Sequence, residues 1–126
     1  MYNNAAAYNT YAQNNVGVES PEKLIEMLYE GILRFNTQAK HAIKNDDIEK
    51  RAYWINRSVA IFSELMSTLD LDKGEDIAHY LFGLYQFQIK QLSNANFENN
   101  PELLDQVNKV VKGLLETWRE TTHVDH

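Results

Sequence analysis

Between residues 48 and 69 apolar side chains recur as Ile48, Ala52, Ile55, Val59, Phe62, Met66 and Leu69, separated alternately by four and three positions. That spacing keeps one side of a 3.6-residue helix continuously apolar and cannot line one face of a strand, whose period is two. A helix with such a seam needs other helices to cover it. The spacing therefore constrains the chain to a helical bundle and leads to the question of where the partner helices lie.

Three more helical patterns answer it. The first spans about 21 to 43, with Ser20 as N-cap and Pro21 at the first helical position, where a missing N–H costs nothing. The seam helix is entered through Asn45-Asp46-Asp47, with Asp46 as the expected cap and Glu49 three residues on. The third begins near Asp76 and runs to about Ala95, where Asn94, Asn96, Asn99 and Asn100 cluster as a loop. The fourth starts at Pro101 behind Asn100 and fades after Glu120. Short connections favour antiparallel neighbours, and no Val, Ile and Thr alternation marks a strand. The expected fold is all-α: an antiparallel up-and-down four-helix bundle over residues 20–122, with a short N-terminal arm or helix over 1–19 and a tail over 123–126.

The wheels carry unequal apolar arcs. On the fourth helix Leu103, Leu104, Val107, Val110, Val111, Leu114, Leu115 and Trp118 span roughly 140°. The first helix reaches roughly 240°: Leu24, Leu28, Phe35, Ala39 and Ala42 suit a core, while Ile25, Tyr29, Ile32 and Leu33 form a shoulder, with Met27 opposite. The second carries a partial stripe of Trp54, Ile61 and Leu65 around Ser58. On the third, which spans roughly 220°, Ile77, Leu81, Leu84 and Leu92 suit the core, Tyr80 and Phe87 fall to one side, and Phe82 and Ile89 to the other. Helices with two neighbours accommodate wide arcs, yet three wide ones beside one narrow one point to shallow grooves for apolar anchors of a bound amphipathic helix. The expected contact residues are Ile25, Tyr29, Ile32, Leu33, Trp54, Ile61, Leu65, Tyr80 and Phe87. Gly31, Gly83 and Gly113 interrupt the helices; close helix approach is the default explanation and a groove floor the alternative.

Composition narrows the function. A net charge of −6 and no cluster of Lys and Arg argue against nucleic acid as partner. No cysteine is present, so disulfides, thiolate metal sites and cysteine nucleophiles are excluded. Neither a signal peptide nor a membrane span is visible, and a cytoplasmic location without direct membrane insertion is expected. A di-iron centre in a bundle needs two Glu-x-x-His motifs, of which only Glu120-Thr-Thr-His123 matches, beside the shorter Asp76-Ile-Ala-His79. No phosphate loop, nucleophile elbow or zinc motif occurs, and acidic pairs such as Asp46 with Asp47 suit helix starts. No catalytic, metal or cofactor-binding residue is expected, and the protein is not expected to be an enzyme. A homo-oligomeric structural bundle without a peptide client is the alternative reading.

The stretch SPEKLIEMLYEG at residues 20 to 31, with the spacing to Ala39, resembles the signature of the flagellin-specific export chaperones, the FliS family. AYNTYAQNNV at 7 to 16, TLDLDKGEDIAHYLFGLYQFQIKQLSNAN at 68 to 96 and LLETWRE at 114 to 120 support it, so the likeness covers nearly the whole chain in order. It implies a chaperone that binds the disordered C-terminal segment of flagellin, prevents premature polymerisation and brings its client to the export-gate protein of the flagellar type III system. A co-chaperone or regulatory protein is a further partner compatible with it. The resemblance assigns Tyr11, Ala12 and Gln13 to gate docking. Tyr8, one helical turn earlier, stands where the family often has a small aliphatic residue, and an arm that folds back over an empty groove is the other reading.

Overall fold

The computed structural model describes residues 20–122, which form four helices: α1 (Pro21–Lys44), α2 (Ile48–Ser67), α3 (Asp76–Glu98) and α4 (Pro101–Thr122). The expected arm and the tail, with His123, lie outside the described residues. Each helix packs against its two neighbours in the order α1, α2, α3, α4 and back to α1, as an up-and-down bundle requires.

Local chemistry sets the boundaries. The Ser20 hydroxyl accepts from the Lys23 backbone N–H at 3.1 Å and begins α1. Asp47, not Asp46, caps α2: its carboxylate accepts from the Lys50 N–H at 3.1 Å. Asp46 takes the left-handed turn instead, at φ 54°, so an extended cap conformation is open only to its neighbour. In the loop before α3, Asp70 accepts from the N–H groups of Asp72 and Lys73, and a Cβ at Gly74 would run into the Asp70 carbonyl and Ala78. Helix α3 continues through Asn94 and Asn96 to Glu98, beyond the expected end; Asn99, at φ 54°, provides the left-handed stop. Asn100 then accepts from the Glu102 N–H at 3.0 Å to start α4.

The core is built largely by α1. Leu24, Ile25, Leu28, Tyr29, Ile32 and Ala39 are all buried, against Ile55, Phe62 and Leu65 of α2, Tyr85 and Leu92 of α3, and Leu104, Val107 and Val111 of α4. The seam of α2 is shifted from the expected one: Ile55, Ser58, Phe62 and Leu65 face inward, Ala52, Val59 and Met66 are half-buried, and Ile48 is exposed at the helix start. On α3 the inward line is Ala78, Leu81, Tyr85, Gln88, Leu92 and Ala95, which places Ile77 outside and Leu84 half outside. The expected line was rotated because it followed the large aliphatic residues, whereas the interior holds Ala, Tyr and Gln.

Polar atoms cross this interior in pairs. The Tyr29 and Tyr85 hydroxyls meet at 2.7 Å across the diagonal between α1 and α3. The Asn36 amide donates to Asn108 of α4 at 2.9 Å and its oxygen accepts from Ser58 of α2 at 2.5 Å. Each bond joins a different pair of helices, so a slip in register would strand a buried polar group.

Candidate partner-binding surface

The apolar excess of α1 does not face solvent. Ile25, Tyr29 and Ile32, expected as a shoulder, are buried, as are Ile61 and Leu65 of α2. Their wide arc serves two neighbouring helices and the diagonal contact to Tyr85, which the wheel of an isolated helix does not show. Gly31 belongs to the same packing: a Cβ there would stand 2.8 Å from Ile61 Cδ1, so close helix approach explains this glycine. Gly83 and Gly113 have nothing within 4 Å of an added Cβ, and close approach does not explain either.

The other expected contact residues stand on three faces. Leu33 is half-buried and lines an open groove of about 630 Å³ with Leu115, Lys112 and Arg119 of α4. Trp54 is half-buried between Phe35, at 5.4 Å between ring centroids, and Tyr53, at 4.8 Å edge-on. Tyr80 and Phe87 are 63% and 54% exposed.

Ile77 and Leu84 complete a strip with the last pair. Ile77, Tyr80, Leu84 and Phe87 follow a 3-4-3 spacing, which puts them within roughly 80° of one another over about 15 Å of helix. Gln91, one turn beyond Phe87, bonds Gln106 of α4 at 3.0 Å, so the strip continues the line along which α3 meets α4. Val110 and Leu114, one and two turns beyond Gln106, are half-buried on the matching line of α4. Three large side chains more than half exposed on one short strip make a patch that a soluble protein seldom leaves uncovered. The spacing of Ile77 and Leu84 is visible in the sequence, but their aliphatic character suggests an inward place that the structure does not give them.

At the same end of the bundle α1 and α4 are clasped. Glu26, fully buried, accepts from Lys23 at 2.6 Å and from Arg119 Nε at 2.7 Å, and Arg119 also reaches Glu30 at 2.8 Å. Trp118 donates its indole N–H to the Glu22 carbonyl at 2.9 Å. The hydrogen bonds to Glu26 raise the pKa values of Lys23 and Arg119. Burial raises that of Tyr29, and burial with the neighbouring Tyr29 raises that of Tyr85 further. Among the described residues no three His, Asp or Glu side chains converge as a metal site, and no helix is long and apolar enough to cross a membrane.

Four helices with buried polar cross-links and an exposed apolar strip on α3 define an all-α helical bundle with an uncovered apolar surface. A family model described as flagellar protein FliS matches residues 3–125. The chain belongs to the FliS family of flagellar secretion chaperones. It is 60% identical over 120 residues to the flagellar secretion chaperone FliS of Campylobacter jejuni, covering 95% of this chain and 93% of that one. It is 30% identical over 113 residues to that of Bacillus subtilis, covering 90% and 84%. A solved structure described as a flagellar chaperone from bacteria shares the fold, with a TM-score of 0.76 at 21% identity over 94% of this chain and 97% of that one.

Proposed function

We propose that this chaperone binds the disordered C-terminal segment of flagellin, keeps it from polymerising and delivers it to the flagellar export gate from the cytoplasm. The observation that carries the reading is the exposed strip of Ile77, Tyr80, Leu84 and Phe87 on a bundle whose family is one of flagellar secretion chaperones. A client segment too poor in apolar residues to fold alone would become helical on this strip, its ordering entropy offset by the apolar area covered. Each fully buried large anchor contributes about 1.5–3 kcal/mol, so several anchors give a complex that is stable yet reversible. In this proposal the bundle over 20–122 holds the client, while the arm over 1–19, through Tyr8, Tyr11, Ala12 and Gln13, docks to the gate protein or covers the vacant strip. Direct contact on the strip falls to Tyr80 and Phe87, while Leu33 and Trp54 lie on other faces and the buried Ile25, Tyr29, Ile32, Ile61 and Leu65 support the bundle beneath.

A seeded polymerisation assay tests the reading. Equimolar chaperone should stop the growth of filaments from flagellin of the same source, and sedimentation should show a discrete mixed complex. Unimpeded growth, with the chaperone sedimenting as an oligomer of itself that flagellin does not dissolve, would instead favour the structural bundle.

A further inference from the structure

Positive charge on this acidic chain gathers along the seam of α1 with α4. The two helices are joined there by the Asn36 bond to Asn108 and the Lys40 bond to Asp105. Lys44 lies one turn beyond Lys40, Lys109 one turn beyond Asp105, and Lys112 shares a groove with Leu33. From Leu33 to Lys44 the seam is about 16 Å long. Lys40 is compensated by Asp105, but among the described residues no carboxylate lies within ion-pair distance of Lys44, Lys109 or Lys112, although the chain has a net charge of −6. An apolar floor lies at each end. Leu33 and Leu115 line the groove of about 630 Å³ beside Lys112, and Ile43 and Pro101 line a separate cavity of about 490 Å³ beside Lys40, His41 and Lys44. Between the two the seam carries Thr37, Lys40 and Lys109 and is polar. Glu116 and Glu120 stand on the far side of the first groove, so the positive stretch ends at Lys112.

We propose that this seam binds an acidic, extended segment of a partner protein other than the client, with one apolar side chain in each cavity and carboxylates between them. The spacing sets the length of that segment. Leu33 and Ile43 are ten residues apart on α1, about 15 Å, a span that about four or five residues of extended chain cover. An amphipathic helix needs a continuous apolar stripe, and here Thr37, Lys40 and Lys109 interrupt it. Charge sets the partner's sign: three uncompensated lysines attract a carboxylate-rich segment and repel a basic one. Neither end of this chain fits, since Glu19 is the first charged residue of the arm and the tail His-Val-Asp-His holds one carboxylate side chain. The apolar strip lies on α3, so the inference goes beyond the client reading and does not depend on it.

Calorimetry on the full chain with the end-capped peptide Leu-Glu-Asp-Glu-Asp-Leu tests it, beside a basic control, Leu-Lys-Arg-Lys-Arg-Leu, and an acidic one without anchors, Ser-Glu-Asp-Glu-Asp-Ser. The first peptide should bind, with an affinity that falls as salt rises, and both controls should bind at least about tenfold more weakly. Lys109→Glu with Lys112→Glu, both at exposed positions, should weaken it by at least about tenfold while leaving the helical circular dichroism unchanged, and Lys44→Glu should weaken it independently. Tyr80→Ser with Phe87→Ser should leave it unchanged. No binding of the first peptide, equal binding of the serine-ended one, or loss of binding in the α3 variant would overturn the inference. So would either rival occupant: sedimentation with phosphatidylglycerol vesicles in place of peptide binding, or self-association of the chain, each abolished by the same lysine substitutions.

Discussion

The buried hydroxyl pair of Tyr29 and Tyr85 is the most testable contact at the scale of single residues. Replacing either by Phe leaves the other hydroxyl buried without its partner and should cost about 1–3 kcal/mol, whereas replacing both should cost less than the sum of the two. Denaturant unfolding of the four proteins of this cycle measures the coupling. The same pair sets an alkaline limit. Both phenols are raised above the ordinary tyrosine value by burial, so the folded state keeps its protons where the unfolded chain has begun to lose them. Their contribution is complete below about pH 10 and falls as pH rises beyond it, and the double Phe variant should show a flatter decline in melting temperature there. Lys23, raised by its bond to Glu26, adds to the decline above its own usual value. The glycines divide cleanly. Gly83→Ala and Gly113→Ala meet open space and should each stabilise the fold by about 0.5–1 kcal/mol, while in Gly31→Ala the contact with Ile61 opposes the gain in helix propensity. Thermal melts that rank Gly31→Ala above the other two would contradict the packing described here.

Element by element, the sequence was most informative where a side chain's identity determined its place. Ser20, Pro21, Asn100 and Pro101 marked helix starts because capping chemistry is local. Asp46 and Asp47 carry the same carboxylate, and only the backbone turn decides between them. Which face of α3 points inward is only partly legible for a similar reason. Two heptad-like lines lie side by side on it, Ala78-Leu81-Tyr85-Gln88-Leu92 and Ile77-Tyr80-Leu84-Phe87, and choosing the large aliphatic residues mixes them, taking Leu81 and Leu92 correctly from the inward line but Ile77 and Leu84 from the outward one. What decides is complementarity: the interior opposite Tyr29 needs a hydroxyl, and Tyr85 supplies it. Likewise, the wide apolar arc on α1 is legible in the sequence but its burial is not, since a helix that touches two neighbours and a diagonal partner buries more than one stripe. The outward line of α3 therefore carries the functional prediction of this helix. Tyr80→Ser and Phe87→Ser should each change unfolding free energy by no more than about 1 kcal/mol, because more than half of each side chain is already in water. A large loss of stability in urea titration would show that these rings belong to the fold.

For the whole molecule, rigidity and adhesiveness are separated in space. Polar cross-links and the clasp of Glu26 with Lys23 and Arg119 tie α1 to its neighbours, while the apolar strip lies on α3 along its seam with α4. Under the proposed function, a preformed surface leaves the ordering cost to the client and so keeps the complex reversible. Binding should therefore show a negative heat-capacity change from the covered apolar area. The most direct measurement is calorimetric titration of a flagellin C-terminal segment into the full chain and into its Tyr80→Asp, Phe87→Asp variant, after both are shown to melt alike. A discrete complex with the unsubstituted chain is expected, with an affinity weakened at least about tenfold in the variant, from the loss of two anchors. Equal affinity for the two proteins would contradict the claim that this strip holds the client.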